Sequence, residues 1–256
     1  MFKRNAFTIT FALGSTFCLF SQGATAQTPP AAPANYLIDP TGGSKLVYTD
    51  PDNGTRPTAR ALGFSFPFFA ETLTGVFPAV NGCIAWNASN AAVGTFDTGV
   101  FPVGSVRRIA PLWDDLALVG TTDSITEKKS AGIYSLTYLL HKKGQTGSLP
   151  PGMDFQVNLF GAETTIGTFK FLSGDIAFCY QAVAPPLGGT CIIGLNAGDG
   201  AKFAVPIATL GGQPTGVFSN LSKLPLYTTT KQFILFRRSA TGTYTATVES
   251  VTAPPP

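Results

Sequence analysis

Short apolar runs that alternate with polar residues recur along most of this chain, with turn residues between them. In residues 60–69 the alternation places Phe64, Phe66 and Phe68 on one face, as in a half-buried β-strand. Sustained helical spacing of apolar residues is absent from the sequence. Many short strands between turns are typical of sandwiches and barrels. The pattern therefore predicts an all-β protein, an antiparallel β-sandwich of many short strands with little or no helix after residue 26.

Two local signals refine this prediction. Pro67 lies inside the aromatic strand, and because proline cannot donate to a ladder, that strand should be at an edge or carry a bulge. Asn81-Gly82 separates two apolar runs and favours a type I′ hairpin turn, which needs positive φ at both central residues. The other predicted strands cover residues 45–49, 73–80, 83–86, 106–119, 132–141, 153–160, 166–172, 175–180, 191–195, 202–207, 232–238 and 244–251.

Two segments between these strands have a different composition. Residues 88–105 are rich in Ala, Gly, Thr and Asn and are predicted to form a long surface loop. Residues 123–130 hold most of the local charge, and we expect them to be solvated.

The first 26 residues are typical of an export signal. A basic start at residues 1–4 precedes an uncharged, mostly apolar run, and small residues follow at 24–26. The apolar run is shorter than the roughly 20 residues that a spanning helix needs. We therefore expect cleavage before Gln27, a secreted or extracellular location with the periplasm as an alternative, and no membrane insertion after cleavage. Residues 27–44 then form a Pro/Ala-rich lead-in, residues 45–251 a single sandwich domain, and residues 252–256 a Pro-rich tail.

The charge balance argues against a polyanionic partner. The chain carries 17 Lys and Arg residues and 14 Asp and Glu residues, a formal net charge of +3. Cleavage would lower this charge further, because Lys3 and Arg4 would leave with the signal. Nucleic acid is therefore not an expected partner. Few charges with many Gly, Pro and Phe residues suit an extracellular β protein better than a cytosolic enzyme.

Three cysteines follow the signal: Cys83, Cys179 and Cys191. Export permits a disulfide. Cys179 and Cys191 flank one loop at the ends of two predicted strands, so we predict that they are bonded and close about a dozen residues, worth about 3 kcal/mol in the chain-entropy model. Cys83 would then be a buried thiol. Pairings of Cys83 with either partner stay open, because spacing alone does not exclude them.

Motifs for catalysis are absent from the sequence. His141 is the single histidine, and there is no nucleophile elbow, zinc-binding helix or phosphate loop. We therefore expect no enzyme activity and no catalytic residues. Trp86 and Phe101 are a possible ligand surface for sugars, although aromatic residues on sandwich strands are more often core.

Asp114, Asp115 and Asp123 are weak candidates for metal ligands. Hard cations such as calcium want several oxygen ligands. Adjacent residues on a strand point to opposite faces, however, so Asp114 and Asp115 could share an ion only where the strand has ended. We therefore expect no metal and no cofactor, with calcium as the alternative.

Five segments follow one another along the chain: LGFSFPFFAETLTGVFPAVNGCIAW (62–86), IAPLWDD (109–115), DFQVNLF (154–160), SGDIAFCY (173–180) and GLNAGDG (194–200). In this order they resemble the nidogen-type (NIDO) extracellular domains. The resemblance covers about residues 61–205 and implies a β-rich domain of matrix, adhesion or surface proteins, with no general catalytic residues. Cysteine-dense modules do not follow, so the chain looks like a stand-alone bacterial relative.

These observations favour a secreted, non-enzymatic module for binding, adhesion or the extracellular matrix. Its partner would be an extracellular protein or a glycan. A carbohydrate-binding protein is the alternative, and a secreted hydrolase with paired carboxylates is the third hypothesis.

Overall fold

Two antiparallel sheets and a small hairpin make up the computed structural model, which describes residues 35–86, 107–145, 152–183, 191–206, 210, 216–218, 224–226 and 230–251. Nearly all of the described chain lies in strands or the turns between them, which confirms the all-β class. The strands are β1 (Ser44–Lys45), β2 (Arg60–Phe68), β3 (Glu71–Pro78), β4 (Ile84–Ala85), β5 (Arg108–Trp113), β6 (Leu116–Ala117), β7 (Ser124–Ser130), β8 (Ile133–Lys142), β9 (Met153–Phe160), β10 (Thr164–Ile166), β11 (Phe169–Phe171), β12 (Ile176–Val183), β13 (Cys191–Asn196), β14 (Phe203–Ala204), β15 (Val217–Phe218), β16 (Lys231–Arg238) and β17 (Tyr244–Val251).

The larger sheet has the strand order β1-β7-β8-β9-β12-β16-β17, and β6 pairs with the end of β8. The second sheet has the order β14-β13-β5-β4-β3-β2, and β15 pairs with β13. The strand predicted at 166–172 is instead part of a hairpin, β10–β11, that pairs only with itself among the described residues. Neither sheet closes into a barrel, which confirms the sandwich architecture.

The main core unites apolar side chains from both sheets. Alternate residues of β8, including Leu136, Tyr138 and Leu140, are fully buried in it together with Phe178 of β12 and Phe66 of β2. Tyr138 stacks on Phe155 of the neighbouring strand, with ring centroids 4.7 Å apart. The period-two pattern in the sequence thus becomes the inner face of the sandwich.

β2 has both features that Pro67 predicted. It is the edge strand of its sheet, and its register with β3 shifts between Ala61 and Phe66. The shift marks a bulge, with Gly63 at φ 87° inside it. Proline is therefore tolerated because its position does not interrupt a central ladder.

The Asn81-Gly82 signal is correct for the hairpin and wrong for the turn type. β3 and β4 pair through Phe77–Ala85 and Pro78–Ile84, and the amide of Ala79 donates to the carbonyl of Cys83 at 2.9 Å. Gly82 has φ 72°, but Asn81 does not have positive φ, as a type I′ turn requires. The connection is longer than two residues, which leaves the Asn81 side chain for a different role, described below.

The prediction that residues 123–130 are solvated is wrong, because they form β7 inside the larger sheet. β7 pairs with β1 on one side and β8 on the other. Glu127 is 5% exposed and accepts two hydrogen bonds from Arg60, at 3.0 and 2.7 Å, and one from Tyr134 at 2.9 Å. Burial opposes its ionisation, but these donors hold the pKa of Glu127 below its ordinary value. A charged strand is stable here because its buried charge is paired.

Residues 35–39 cross the outer face of the larger sheet, and we call them the strap. Leu37 packs with Phe160, Phe233 and Val251 in a second apolar cluster that lies apart from the main core. The Asn35 side chain donates to the carbonyls of Tyr180, Pro225 and Gln232 at 2.9–3.2 Å and accepts from the Gln232 amide at 2.8 Å. The end of the predicted lead-in is therefore part of the packed structure.

The strap also gives a pH-dependent prediction at Asp154. Burial raises the pKa of Asp154 from 3.8 to about 6, although the Tyr36 hydroxyl donates a hydrogen bond to it. Folding thus favours the protonated form, so the contribution of Asp154 to stability is most favourable at low pH and is lost as pH rises from about 4 to about 6. We expect Asp154→Asn to raise the free energy of unfolding by about 1–2 kcal/mol at pH 7, and to change it little at pH 4.

Urea unfolding of both proteins at the two pH values measures this effect. Asp39→Asn serves as the control, because Asp39 is an exposed carboxylate of the same strap whose pKa is lowered by the Thr41 amide. An equal gain from Asp154→Asn at both pH values would contradict the assignment.

Candidate functional site

The Asp114-Asp115 pair lies in the two-residue link between β5 and β6, where the strand has ended. Asp114 is 1% exposed, and its Oδ2 lies 2.7 Å from Nζ of Lys142 at the end of β8. Its Oδ1 accepts from the Asp115 amide at 2.8 Å. Both carboxylate oxygens are therefore bonded within the protein, and a lysine supplies the positive charge beside them.

Asn81 joins this link to the β3–β4 turn. Its carbonyl accepts from the Asp114 amide at 3.3 Å, and its side-chain oxygen accepts from the Leu116 amide at 2.7 Å. Its side-chain nitrogen donates to Asn53 at 3.2 Å. Next to it, a Cβ on Gly82 would lie 2.1 Å from the Leu112 carbonyl, so only glycine fits where the turn meets β5.

Asp123 is held by a second set of partners. Its carboxylate accepts from the amides of Val119 and Gly120, at 2.9 and 2.8 Å. Nδ1 of His141 lies 2.9 Å from both of its oxygens, and the two side chains are each 1% exposed. The pair closes the turn before β7 and orients the imidazole inside the fold.

Only the outer part of this region is accessible. Lys143 lies 2.8 Å from Asp52 and 3.8 Å from Asp115, with side chains that are 49%, 29% and 38% exposed, respectively. Partial burial raises the pKa of Asp115 even though Lys143 opposes the shift. The hydrogen bond to Asp52 raises the pKa of Lys143. These three side chains form a small zwitterionic surface above the buried pairs.

The structure does not bring Asp114, Asp115 and Asp123 together as one ligand set. Asp114 is paired with Lys142, Asp123 with His141, and Asp115 faces Lys143. Within the described ranges, no group of three or more acidic, histidine or cysteine side chains has the arrangement of a metal site.

The two aromatic candidates for a ligand surface have different outcomes. Trp86 is 7% exposed and stacks on Phe68 at 4.5 Å, with Phe66 at 6.4 Å on a nearly parallel plane. It is a core residue, so the prediction of a surface platform at Trp86 is wrong. Phe101 and the predicted loop at 88–105 lie outside the described residues.

The predicted disulfide between Cys179 and Cys191 is not formed, and both residues are buried thiols, as is Cys83. Cys179 points from β12 into the cluster beneath the strap, whereas Cys191 points from β13 into the main core. The two thiols thus occupy different layers of the sandwich. Adjacency along the chain suggested a bridge, but side-chain direction on the two strands prevents it.

These thiols should be inert in the folded protein. Burial raises the pKa of each of Cys83, Cys179 and Cys191 to about 12. The thiolate is the reactive form, so we expect a disulfide-exchange reagent at pH 8 to leave all three unmodified for hours. In denaturant all three should react within minutes. Peptide mapping by mass spectrometry would read each site, and a Cys179–Cys191 peptide in the unreduced native digest would contradict this prediction.

Lys142 and Asn81 make the buried contacts that hold Asp114 and the residues beside it, which we call the Asp114 network. Neither role was predicted from the sequence. Lys142 has the same parity on β8 as Leu136, Tyr138 and Leu140, which is the signal that its side chain starts toward the core. Asn81 gave no such signal, because its role depends on β5 and β6 approaching the turn from a distant part of the sequence.

The described residues include no helix long and apolar enough to cross a membrane. No curated protein and no solved structure is significantly similar to this chain. A family model described as "NIDO related" matches residues 31–238, which include the second sheet, the larger sheet up to β16, the strap and the Asp114 network. NIDO domains are extracellular. The ordered motifs, the all-β sandwich and this match together show that the chain belongs to the NIDO-related family.

Proposed function

We propose that this chain is a secreted, non-enzymatic module that binds an extracellular protein in adhesion or in a matrix. The observation that carries the proposal is the way its chemically capable side chains are used. Asp114, Lys142, Asp123 and His141 are each paired inside the fold, where they join β5, β7 and β8. Membership in an extracellular domain family supports the same conclusion.

The burial of these groups argues against hydrolysis. A general base or nucleophile must come within hydrogen-bond reach of its substrate. His141 and Asp123 are each 1% exposed, and Asp114 is 2% exposed in its side chain. Two carboxylates flanking an open cleft, as glycoside hydrolysis needs, do not occur in this network.

In this proposal the Asp114 network is stable without calcium. The Lys142 ammonium already occupies the position beside Asp114 where a cation would sit. Because a ligand that binds only the folded state raises its stability, a resident ion would raise the melting temperature. We expect 5 mM calcium chloride and 5 mM EDTA to give melting temperatures within about 1 °C of each other, as measured by calorimetry. A rise of about 5 °C or more with calcium would contradict the proposal.

Trp86 is in the core, so it does not support the alternative of a carbohydrate-binding protein. The test therefore compares protein and sugar ligands directly. Purified protein is immobilised on a biosensor and exposed to collagens, fibronectin and laminin, and the labelled protein is applied to a glycan array.

We expect saturable binding to a matrix protein that persists in EDTA and disappears after thermal denaturation of the chain. Chromogenic ester and glycoside substrates should not be turned over. Selective glycan binding without protein binding would move the chain to the carbohydrate-binding class. Turnover that is lost in His141→Ala, with the fold retained, would overturn the non-enzymatic proposal.

A further inference from the structure

The long edge strands of the two sheets differ in how they are protected. β2 has Pro67, a charged Arg60 at its start, and a register shift between Ala61 and Phe66. Proline, charge and bulges are the devices that keep an edge from pairing with another chain. β2 is thus protected against pairing with another chain.

β17, at the edge of the larger sheet, has no proline and no register shift. Its sequence is YTATVESV, with Glu249 as the single charge. All eight residues pair with β16 in one continuous register. Among the residues that the structure describes, no strand pairs with its other side. Val248 is 37% exposed, and Thr245, Thr247 and Ser250 are exposed too. This strand is a regular, accessible template for a further strand.

The β16–β17 turn fixes which backbone groups face outward. The Ser239 amide donates to the Thr243 carbonyl at 2.8 Å, so Ser239 and Thr243 are a hydrogen-bonded pair. Hydrogen-bonded pairs recur at every second residue of an antiparallel ladder. Thr245, Thr247 and Glu249 therefore bond to β16, and the N–H and C=O groups of Ala246, Val248 and Ser250 point away from the sheet.

The outward-facing N–H and C=O groups of β17 can pair with the same groups of a second copy of the chain. A two-fold axis through Val248 would place Val248 opposite Val248 of a second copy, and Ala246 opposite Ser250. Every outward-facing residue would then meet another outward-facing residue, as an antiparallel ladder requires. The same axis sets Glu249 opposite Thr247 of the second copy, and not opposite another carboxylate. Within one copy Thr247 already donates to Glu249 at 2.9 Å, so the two groups suit each other chemically.

We propose that two copies of this chain form a symmetric dimer by antiparallel β17–β17 pairing about Val248. The interface is isologous and closes at two copies. It extends the larger sheet across both molecules and covers the exposed valine of each. One strand per copy is a small contact, so the dissociation constant should be on the order of 10–1000 µM.

Sedimentation velocity over a concentration series tests the dimer. We expect the parent chain to shift from monomer to dimer within that range. Val248→Lys places two ammonium groups face to face at the axis and should raise the dissociation constant at least tenfold. Val47→Lys is the matched control, because Val47 is a more exposed valine, 75%, outside every strand. It should dimerise like the parent.

Cysteine cross-linking tests the register and does not depend on Val248→Lys folding well. Opposed residues of a hydrogen-bonded pair have Cα atoms about 5.5 Å apart, within disulfide range. Val248→Cys should therefore give a covalent dimer under mild oxidation. Ala246→Cys alone should not, whereas a mixture of Ala246→Cys and Ser250→Cys should. The parent chain, oxidised in parallel, accounts for any linkage through native cysteines.

Three results would overturn the proposal. One is a parent chain that stays monomeric at 1 mM. Another is a dimer that Val248→Lys leaves intact. The third is cross-linking of Ala246→Cys with itself as efficient as that of Val248→Cys, which would place the axis elsewhere. Pairing of β17 only with a strand of another protein would also appear as a monomeric parent, and would exclude the second copy.

Discussion

Replacing Lys142 by methionine should lower the free energy of unfolding by about 3–5 kcal/mol, because it leaves the Asp114 carboxylate buried without its counter-charge. The two side chains are 9% and 2% exposed, and their charged atoms are 2.7 Å apart. Water cannot replace the lost ammonium at this depth without opening the link between β5 and β6. Urea unfolding followed by tryptophan fluorescence measures the loss.

Lys143→Met is the matched control, since it makes the same change at the next residue. Lys143 is 49% exposed, and its pair with Asp52 is on the surface, so the cost should be under about 1 kcal/mol. The double variant Asp114→Asn/Lys142→Met removes both charges and should recover about half of the loss. Equal effects of Lys142→Met and Lys143→Met would show that the buried pair contributes no more than a surface pair.

Trp86→Ala should cost about 3–5 kcal/mol, the range for emptying a large aromatic site in a core. Trp86 packs against Phe68 and Phe66, and it is followed by a segment outside the described residues. Truncation would leave a cavity between these rings. A thermal or chemical unfolding curve measures the effect directly.

The Trp86→Phe variant separates the effect of lost side-chain volume from the effect of a lost polar contact at the same position. The indole nitrogen of Trp86 is buried without a hydrogen-bond partner in the described structure, so phenylalanine loses volume and no polar contact. We expect a cost of under about 2 kcal/mol. If Trp86 were an exposed sugar platform, both variants would unfold like the parent, and only ligand binding would change.

Many of the strands could be predicted from the sequence, because they depend on the local alternation of apolar and polar residues. Phe66 and Phe68 alternate into the core as predicted, and Pro67 located both the edge and the bulge. Strands such as β9 and β16 combine apolar runs with clear turn signals, so their bounds differ from the prediction by at most one residue.

The errors share a different cause, which is contact between distant parts of the chain. β7 looked like a solvated loop because the partner of Glu127 is Arg60, 67 residues away. The predicted disulfide failed because chain proximity does not fix the layer into which each thiol points. The Asn81-Gly82 sequence favours a two-residue turn locally, but in the fold the Asn81 side-chain oxygen accepts a hydrogen bond from the distant Leu116 amide. In each case a tertiary partner decided what the local sequence left open.

The strap has a consequence for the order in which parts of the chain can fold. Asn35 bonds to Gln232, 197 residues further along, and Leu37 packs on Phe233 and Val251. Synthesis from the N-terminus produces the strap first and the strands beneath it last. Closing so long a loop early would be entropically costly, and its partners would still be missing. We therefore expect the strap to dock late in folding, and Phe160 and Phe171 to stay uncovered until β16 and β17 have joined the sheet.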